Sequence, residues 1–235
     1  NRENEGDLVI PASDASQKNI NFMAKYGRGL ICLSLTNKQV KKLNLSLMSP
    51  INKSRNQTAF TTSIEAKKGV TTGISAKDRA ITIKTAIKTN VKKDEIISPG
   101  HIFPIISKKG GVLVRAGHTE ASVDISKLAK KNPSAVICEI MNEKGVMAKG
   151  KELFNFAKKH KLKIGKIDDL IAYRLKIEKF IKILSDFLNL INFSTFNLCA
   201  IRSSIRAILN LCLFAKLNNS LPFAITPRSF IISQI

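Results

Sequence analysis

The chain has 235 residues, 39 Lys and Arg against 17 Asp and Glu, a formal net charge of +22 and 44% hydrophobic residues. A chain of this length can bury the core of one domain of ordinary size, and its hydrophobic fraction excludes a wholly disordered protein. No uninterrupted apolar run reaches the ~18 residues of a membrane-spanning helix. The N-terminus carries no signal-peptide pattern. We therefore expect a cytoplasmic protein with no membrane partner.

The positive charge raises the alternative of nucleic-acid binding, because clustered Lys and Arg displace counterions from phosphate backbones. The excess is mostly scattered Lys, Trp is absent and the chain has only two Tyr. No aromatic platform therefore interleaves the charge. We expect no nucleic-acid partner, and binding to a polyanion that weakens steeply with salt would be the sign of the alternative.

The four cysteines are far apart in the sequence and form no CxxC pair. This spacing disfavours both a zinc knuckle and a disulfide scaffold, and we expect reduced thiols. Cys32 lies inside an apolar run and is most simply a small core residue.

The first third of the chain alternates predicted strands and helices. Strands are predicted at 8–11, 30–35 and 58–66, and helices at 14–26 and 36–43. Ser75 to Asp78 resembles a capping box that opens a helix running to about residue 89.

In the remainder, residues 90–109 are predicted to be a loop because Pro99, Gly100 and Pro104 interrupt them. Strands are predicted at 111–115, 135–141 and 162–167, and helices at 116–130, 151–160 and 168–173. This irregular mixture indicates an α/β or α+β domain with a mixed sheet.

Residues 175–235 differ in character, since they contain no Gly and few charged residues. Arg202, Arg206 and Lys216 interrupt the most apolar stretch, and each charge disfavours a membrane span. We assign 1–174 to one domain and expect 175–235 to form a helical or poorly ordered tail.

Several polar residues stand where a core would favour apolar ones. Glu139 lies within a predicted strand, where burial would raise its pKa toward a useful acid–base value, unless it faces solvent from an edge strand. His118 precedes a predicted helix and is either a ligand or only part of a helix start, and His101 lies on a proline-stiffened loop. His160 is predicted to be a solvated helix end. The polar clusters are Arg2 and Glu3 with Asp7, Asp78 with Arg79, His101, Arg115 to Glu120, and Glu139.

Eight runs in order carry a resemblance to a known family. They are RENEGDLVIPA (2–12), GLICLSLT (29–36), TAFTTSIEA (58–66), GVTTGISAKDRAITI (69–83), SPGHIFPI (98–105), GGVLVRAGHTEASVDI (110–125), CEIMNEKGVMA (138–148) and DLIAYR (169–174). Over residues 1–174 the chain resembles 3,4-dihydroxy-2-butanone 4-phosphate synthase, an enzyme of riboflavin biosynthesis.

The resemblance implies a three-layer α/β domain, with helices on both faces of a mixed sheet, that forms a homodimer. It also implies a lyase that converts D-ribulose 5-phosphate to 3,4-dihydroxy-2-butanone 4-phosphate and formate through a magnesium-stabilised enediolate. Two Mg²⁺ ions per site are implied, with Mn²⁺ as an alternative. The implied residues are Glu3 and His118 for metal; Arg2, Glu3, Asp7, Arg115, Ala116, Gly117, His118 and Thr119 for substrate; and His101 and Glu139 for catalysis.

The chain departs from the family pattern at both ends. Family members carry a strand and an acidic stretch before the RENEGD run, so we expect the first strand and part of an acidic loop to be missing. An inactive relative that binds sugar phosphate is therefore a second alternative. Bifunctional relatives continue into a GTP cyclohydrolase II domain with a cysteine-based zinc site, for which Cys199 and Cys212 alone are insufficient.

Overall fold

The computed structural model describes residues 4–54, 56–178 and 230–233, the last as backbone only. Its strands are β1 Gly6–Pro11, β2 Cys32–Thr36, β3 Ile64–Ala66, β4 Ile96–Ser107, β5 Ala135–Glu139, β6 Lys163–Lys166 and β7 Phe230–Ser233. Its α-helices are α1 Gln17–Phe22, α2 Asn37–Lys42, α3 Ala76–Ala86, α4 His118–Leu128, α5 Lys151–His160 and α6 Ile167–Ile177. The chain divides into two units, of which the first contains the sheet and the second begins at Asp168 and includes the rest of α6.

Side-chain caps explain where three helices begin. Ser16, Thr36 and Ser75 each accept a hydrogen bond from the backbone N–H three residues on. Such caps satisfy one of the N–H groups that the first helical turn leaves without a partner. Helix α1 continues into a π-helical turn, Met23–Gly27.

The strands of the described residues form one mixed sheet in the order β3-β4-β2-β5-β1-β7-β6. Strand β2 runs parallel to β4 and antiparallel to β5, and β5 runs antiparallel to β1. Strand β7 lies between β1, to which it is antiparallel, and β6, to which it is parallel. The predicted mixed sheet is confirmed.

Alternation along the strands divides the sheet into two faces. Leu8, Leu33 and Val136 lie on one, which we call the back face, and join the core that includes Ile20 of α1 and Ile83 of α3. On the other, the front face, helix α4 packs against β1, β5, β2 and β4. The expected three layers, with helices on both faces, are therefore present.

The loop predicted at 90–109 is wrong, because 96–107 form the longest described strand, β4. Pro104 lacks an N–H group, but its carbonyl accepts from the Thr61 N–H at 2.9 Å. Pairing with β2 and β3 on either side of β4 thus overrides the local effect of the prolines and glycine.

Two predicted strands also differ from the structure. Residues 111–113 form a 3₁₀ turn rather than a strand, because the Val112 N–H donates to the buried Asp124 carboxylate and the Arg115 N–H to the Gly111 carbonyl. Of the strand predicted at 58–66, only Ile64–Ala66 is regular, and Phe60 and Thr61 form isolated bridges.

His160 is the last residue of α5, as predicted, but it is not simply solvated, because its side chain is half-buried. Its ring lies 4.5 to 5.2 Å, centroid to centroid, from the rings of Phe22, Tyr26 and Phe156. Burial, with the charge of neighbouring Lys159, lowers its pKa. His160 therefore joins α1 to α5.

Cys32 and Cys138 are free and buried, as expected for reduced core thiols. Cys199 and Cys212 lie outside the described residues, as do 179–229 of the predicted tail, whereas 230–233 form β7. Within the described part of the chain, no helix has the length and apolar character needed to cross a membrane.

Candidate functional site

The strand register brings His101 and Glu139 to the same end of the sheet. Cys32 of β2 pairs with both Phe103 of β4 and Ile137 of β5. His101 comes two residues before Phe103, and Glu139 two residues after Ile137 on an antiparallel strand, so both are displaced in the same direction. Both occupy front-face positions, and two strand spacings put their Cα atoms roughly 10 Å apart.

Glu139 faces Asp7 across the β1–β5 pair. Asp7 is buried, and the Leu30 N–H donates to Oε2 of Glu139 at 2.8 Å. Burial raises the pKa of Glu139 and the Asp7 carboxylate raises it further, while its backbone hydrogen bonds and His118 oppose the rise. Because β5 lies between β2 and β1, the alternative of an edge-strand Glu139 is wrong.

His118 is the first residue of α4 and is close enough to Glu139 to act on its pKa. Its Nε2 atom is buried and, among the described residues, has no hydrogen-bond partner. A buried ring nitrogen without a partner beside carboxylates fits a divalent metal ligand. The described side chains include no group of three or more His, Cys, Asp and Glu placed to hold a metal. Arg2 and Glu3, the other residues expected there, lie outside the described part of the chain.

Arg115 is held just before the start of α4. Its Nη1 donates to Oε2 of buried Glu120 at 2.6 Å, and its Nη2 donates to the Asn56 carbonyl at 3.2 Å. The second Glu120 oxygen accepts from the Lys108 N–H at 2.9 Å. These contacts orient the guanidinium beside the helix N-terminus.

Ala116, Gly117 and Thr119 complete this segment. Gly117 is the N-cap of α4 and has no side chain to accept from the first turn, so N–H groups of that turn stay available to an anion. Thr119 is buried in the same turn. The expected substrate residues 115–119 therefore lie together at the start of α4. Of these residues, His118 is the one close to Glu139.

His101 has a carboxylate partner on the neighbouring strand. Its Nδ1 lies 2.7 Å from Oε2 of Glu65, which is on the edge strand β3 that pairs with β4. Glu65 is almost fully buried, whereas 42% of the His101 side chain is exposed. The His101 side chain is therefore partly exposed, while the carboxylate that contacts it is buried.

The sequence interpretation missed Glu65, Glu120 and the Leu30 N–H. Glu65 carries the same signal as Glu139, a carboxylate inside an apolar run of β-forming residues. Glu120 was noticed only as part of a polar cluster. The Leu30 contact had no local signal, because it joins residues 109 positions apart.

A family model described as 3,4-dihydroxy-2-butanone 4-phosphate synthase matches residues 1–173, well over half of the chain. The chain belongs to this family. A synthase of that name from Neisseria meningitidis serogroup A is 53% identical over 181 residues, which cover 77% of this chain and 50% of the relative. The chain spans about half the length of the curated synthases it matches first.

Solved structures of the synthase family have the same fold. The two-domain synthase RibBX from A. baumannii is 49% identical, with a TM-score of 0.73 over 76% of this chain and 52% of that one. A synthase solved in complex with two magnesium ions is 38% identical, with a TM-score of 0.71 over 75% of this chain and 88% of that one.

Proposed function

We propose that the chain converts D-ribulose 5-phosphate to 3,4-dihydroxy-2-butanone 4-phosphate and formate, as a lyase of riboflavin biosynthesis. The observation that carries the proposal is the buried Nε2 of His118, which has no hydrogen-bond partner among the residues that the structure describes and lies beside the Asp7–Glu139 pair, in a chain of the synthase family. The family supplies the reaction, and these side chains supply a site whose chemistry suits it.

His118 and Glu3 would hold the metal. The two magnesium ions in a relative support Mg²⁺, and two ions per site, with Mn²⁺ as a substitute, belong to the proposal. When bound, Mg²⁺ supplies positive charge that lowers the energy of the enediolate formed from the substrate ketone. Asp7 would accept hydrogen bonds from substrate hydroxyls, and Arg2 would also bind the substrate.

The phosphate group would bind at the start of α4. Arg115, oriented by Glu120, supplies a fixed positive charge, and Thr119 with the N–H groups of the first helical turn supplies donors. Ala116 and Gly117 would contribute backbone groups, and the missing side chain of Gly117 leaves room for the Arg115–Glu120 pair, since a Cβ there would collide with Nη1 of Arg115.

Glu139 and His101 would transfer protons at opposite sides of the substrate. Because burial raises the pKa of Glu139, its carboxyl group exchanges protons more readily near neutral pH than an exposed glutamate. One of the two removes the C3 proton. The later steps are loss of water, a skeletal shift, addition of water to the rearranged carbonyl and cleavage that releases C4 as formate, so that no net water is consumed.

The proposal also includes a homodimer and a cytoplasmic location. The homodimer rests on the resemblance to the family and the location on the sequence expectation, and neither enters the chemistry above.

Formate release from ribulose 5-phosphate tests the proposed function. We expect release with Mg²⁺, none with EDTA, and losses of at least ~100-fold in His118→Ala and Glu139→Gln. Glu143→Gln, an exposed turn residue close in sequence to Glu139, is the matched control and should stay within about twofold. Metal-dependent substrate binding without formate would identify the inactive relative instead.

A further inference from the structure

Glu65 is a buried carboxylate whose only described side-chain partner is His101. Its Oε2 lies 2.7 Å from Nδ1 of His101, and its Oε1 is buried with no partner among the described residues. Leaving a buried carboxylate oxygen unsatisfied destabilises the fold, so packing alone does not account for this arrangement.

A loop holds the Glu65 carboxylate from the other side. The Gly73 Cα lies against it so closely that a Cβ at residue 73 would collide with all three carboxylate atoms. The loop is fixed in turn by Asp78, whose Oδ2 accepts from the Thr71 N–H, the Thr71 hydroxyl and the Gly73 N–H. Glu65 therefore has little freedom to leave His101.

We propose that Glu65 is a positioning residue that fixes the His101 ring with its proton on Nδ1. An ionised carboxylate only accepts hydrogen bonds, so its contact requires a protonated Nδ1. In the neutral ring the free lone pair is then on Nε2, which makes no hydrogen bond within the described part of the chain. The inference rests on the proposed function, because it deepens the assignment of His101 to proton transfer.

The tautomer of His101 tests the geometry without using activity. We would record long-range ¹H–¹⁵N correlations of the full chain at about pH 9, where imidazole is neutral. The chain has three His, and His101→Asn assigns the signal. We expect the Nδ1–H form in the wild type and a mixture or the Nε2–H form in Glu65→Gln, whose amide can also donate. An Nε2–H ring in the wild type would overturn the proposal.

Kinetics test the consequence for the reaction. We expect Glu65→Gln to lower kcat roughly 10–100-fold with KM for ribulose 5-phosphate within about twofold, because Glu65 acts through His101. Glu65→Asp keeps the charge and should recover part of the loss. Adding Glu65→Gln to His101→Asn should cause no further loss. Glu95→Gln, which removes a half-buried carboxylate just before β4 that pairs with Lys88 instead of a histidine, is the matched control.

Different results would contradict the proposed function and the positioning role of Glu65. A wild type that releases no formate contradicts the proposed function, while the ring tautomer still decides the role of Glu65. A wild type that releases formate, with Glu65→Gln equally fast or additive with His101→Asn, overturns the positioning role alone.

Discussion

Glu139 is a carboxylate whose environment opposes its ionisation. Burial and the Asp7 carboxylate raise its pKa in the folded protein above the value of about 4.3 in an unfolded chain. Folding therefore favours the protonated form, and ionised Glu139 lowers stability once the pH rises through its raised pKa. Keeping this carboxylate in the site therefore lowers the stability of the fold near neutral pH.

Glu139→Gln should consequently be more stable and less active. In EDTA at pH 7.5 we expect a higher Tm than wild type, by about 2–4 °C for each kcal/mol removed. At pH 4, where the wild-type group is already protonated, the two Tm values should converge. A lower Tm at pH 7.5 would show that the Leu30 hydrogen bond outweighs the cost of the buried charge.

Gly73 tests whether the loop over Glu65 matters for turnover. Gly73 and Gly69 both have φ of +82°, but a Cβ at 69 would meet only the Ile81 side chain at 3.7 Å. Ala at either position therefore imposes similar backbone strain, and only Gly73→Ala displaces Glu65. We expect Gly73→Ala to lower kcat by at least about tenfold more than Gly69→Ala. Equal kcat values for the two variants would show that the loop does not affect turnover through Glu65 and His101.

At the scale of elements, helix α3 and the loop before it share one anchor, Asp78. Desolvation would raise the pKa of Asp78, but hydrogen bonds from Thr71, Gly73 and Ser75 outweigh it and lower the pKa. Its contribution to stability is therefore complete above the unfolded value of about 3.9 and is lost as the pH falls through the lowered pKa.

Asp78→Asn should loosen this loop and slow turnover. The amide cannot accept all three bonds, so we expect faster hydrogen exchange at Thr71 and Gly73 and a kcat reduced several-fold with unchanged KM. The Tm difference from wild type should shrink as the pH falls below about 3.9. Asp94→Asn, in an exposed turn, is the control, and unchanged exchange in Asp78→Asn would contradict the anchor.

The elements also show what local sequence could predict. Helices α3, α4 and α5 were predictable because apolar spacing, together with the capping residue Ser75 in α3, acts within one helix. Strand β4 was not, since its pairing with β2 and β3 is non-local and its prolines indicate a loop. The 3₁₀ turn at 111–113 depends on a hydrogen bond to the Asp124 carboxylate, which belongs to the following helix, α4.

For the whole molecule, strand β7 connects two parts of the sheet. It supplies hydrogen-bond partners to both β1 and β6, and Asp7 of the candidate site lies on β1 opposite Ile232. The pairing of β6 with the rest of the sheet therefore depends on residues 230–233.

A chain ending at residue 229 should be less stable than one ending at 233. We expect a lower Tm and faster exchange of amides in β1 and β6 for the shorter chain, because their hydrogen bonds to β7 are lost. The chain ending at 233 controls for removal of the last two residues. Equal Tm and exchange in the two chains would contradict this pairing.

The site as a whole was only partly predictable. Asp7, His101, His118 and Glu139 were predicted through the family resemblance. Strand order and register put Asp7, His101 and Glu139 at one end of the sheet, and His118 lies close to Glu139 at the start of α4. Glu65 and the Leu30 N–H were missed because their roles depend on contacts between distant segments. The functional roles of all these residues, and of Arg2 and Glu3, stay predictions.

In the proposed reaction, C4 of ribulose 5-phosphate leaves as formate. We would supply the full chain and Mg²⁺ with ribulose 5-phosphate labelled with ¹³C at C4 and follow the reaction by NMR. We expect the label to appear in formate and the four-carbon phosphate to carry none. Label retained in a sugar phosphate, or formate labelled from another carbon, would contradict the proposed reaction.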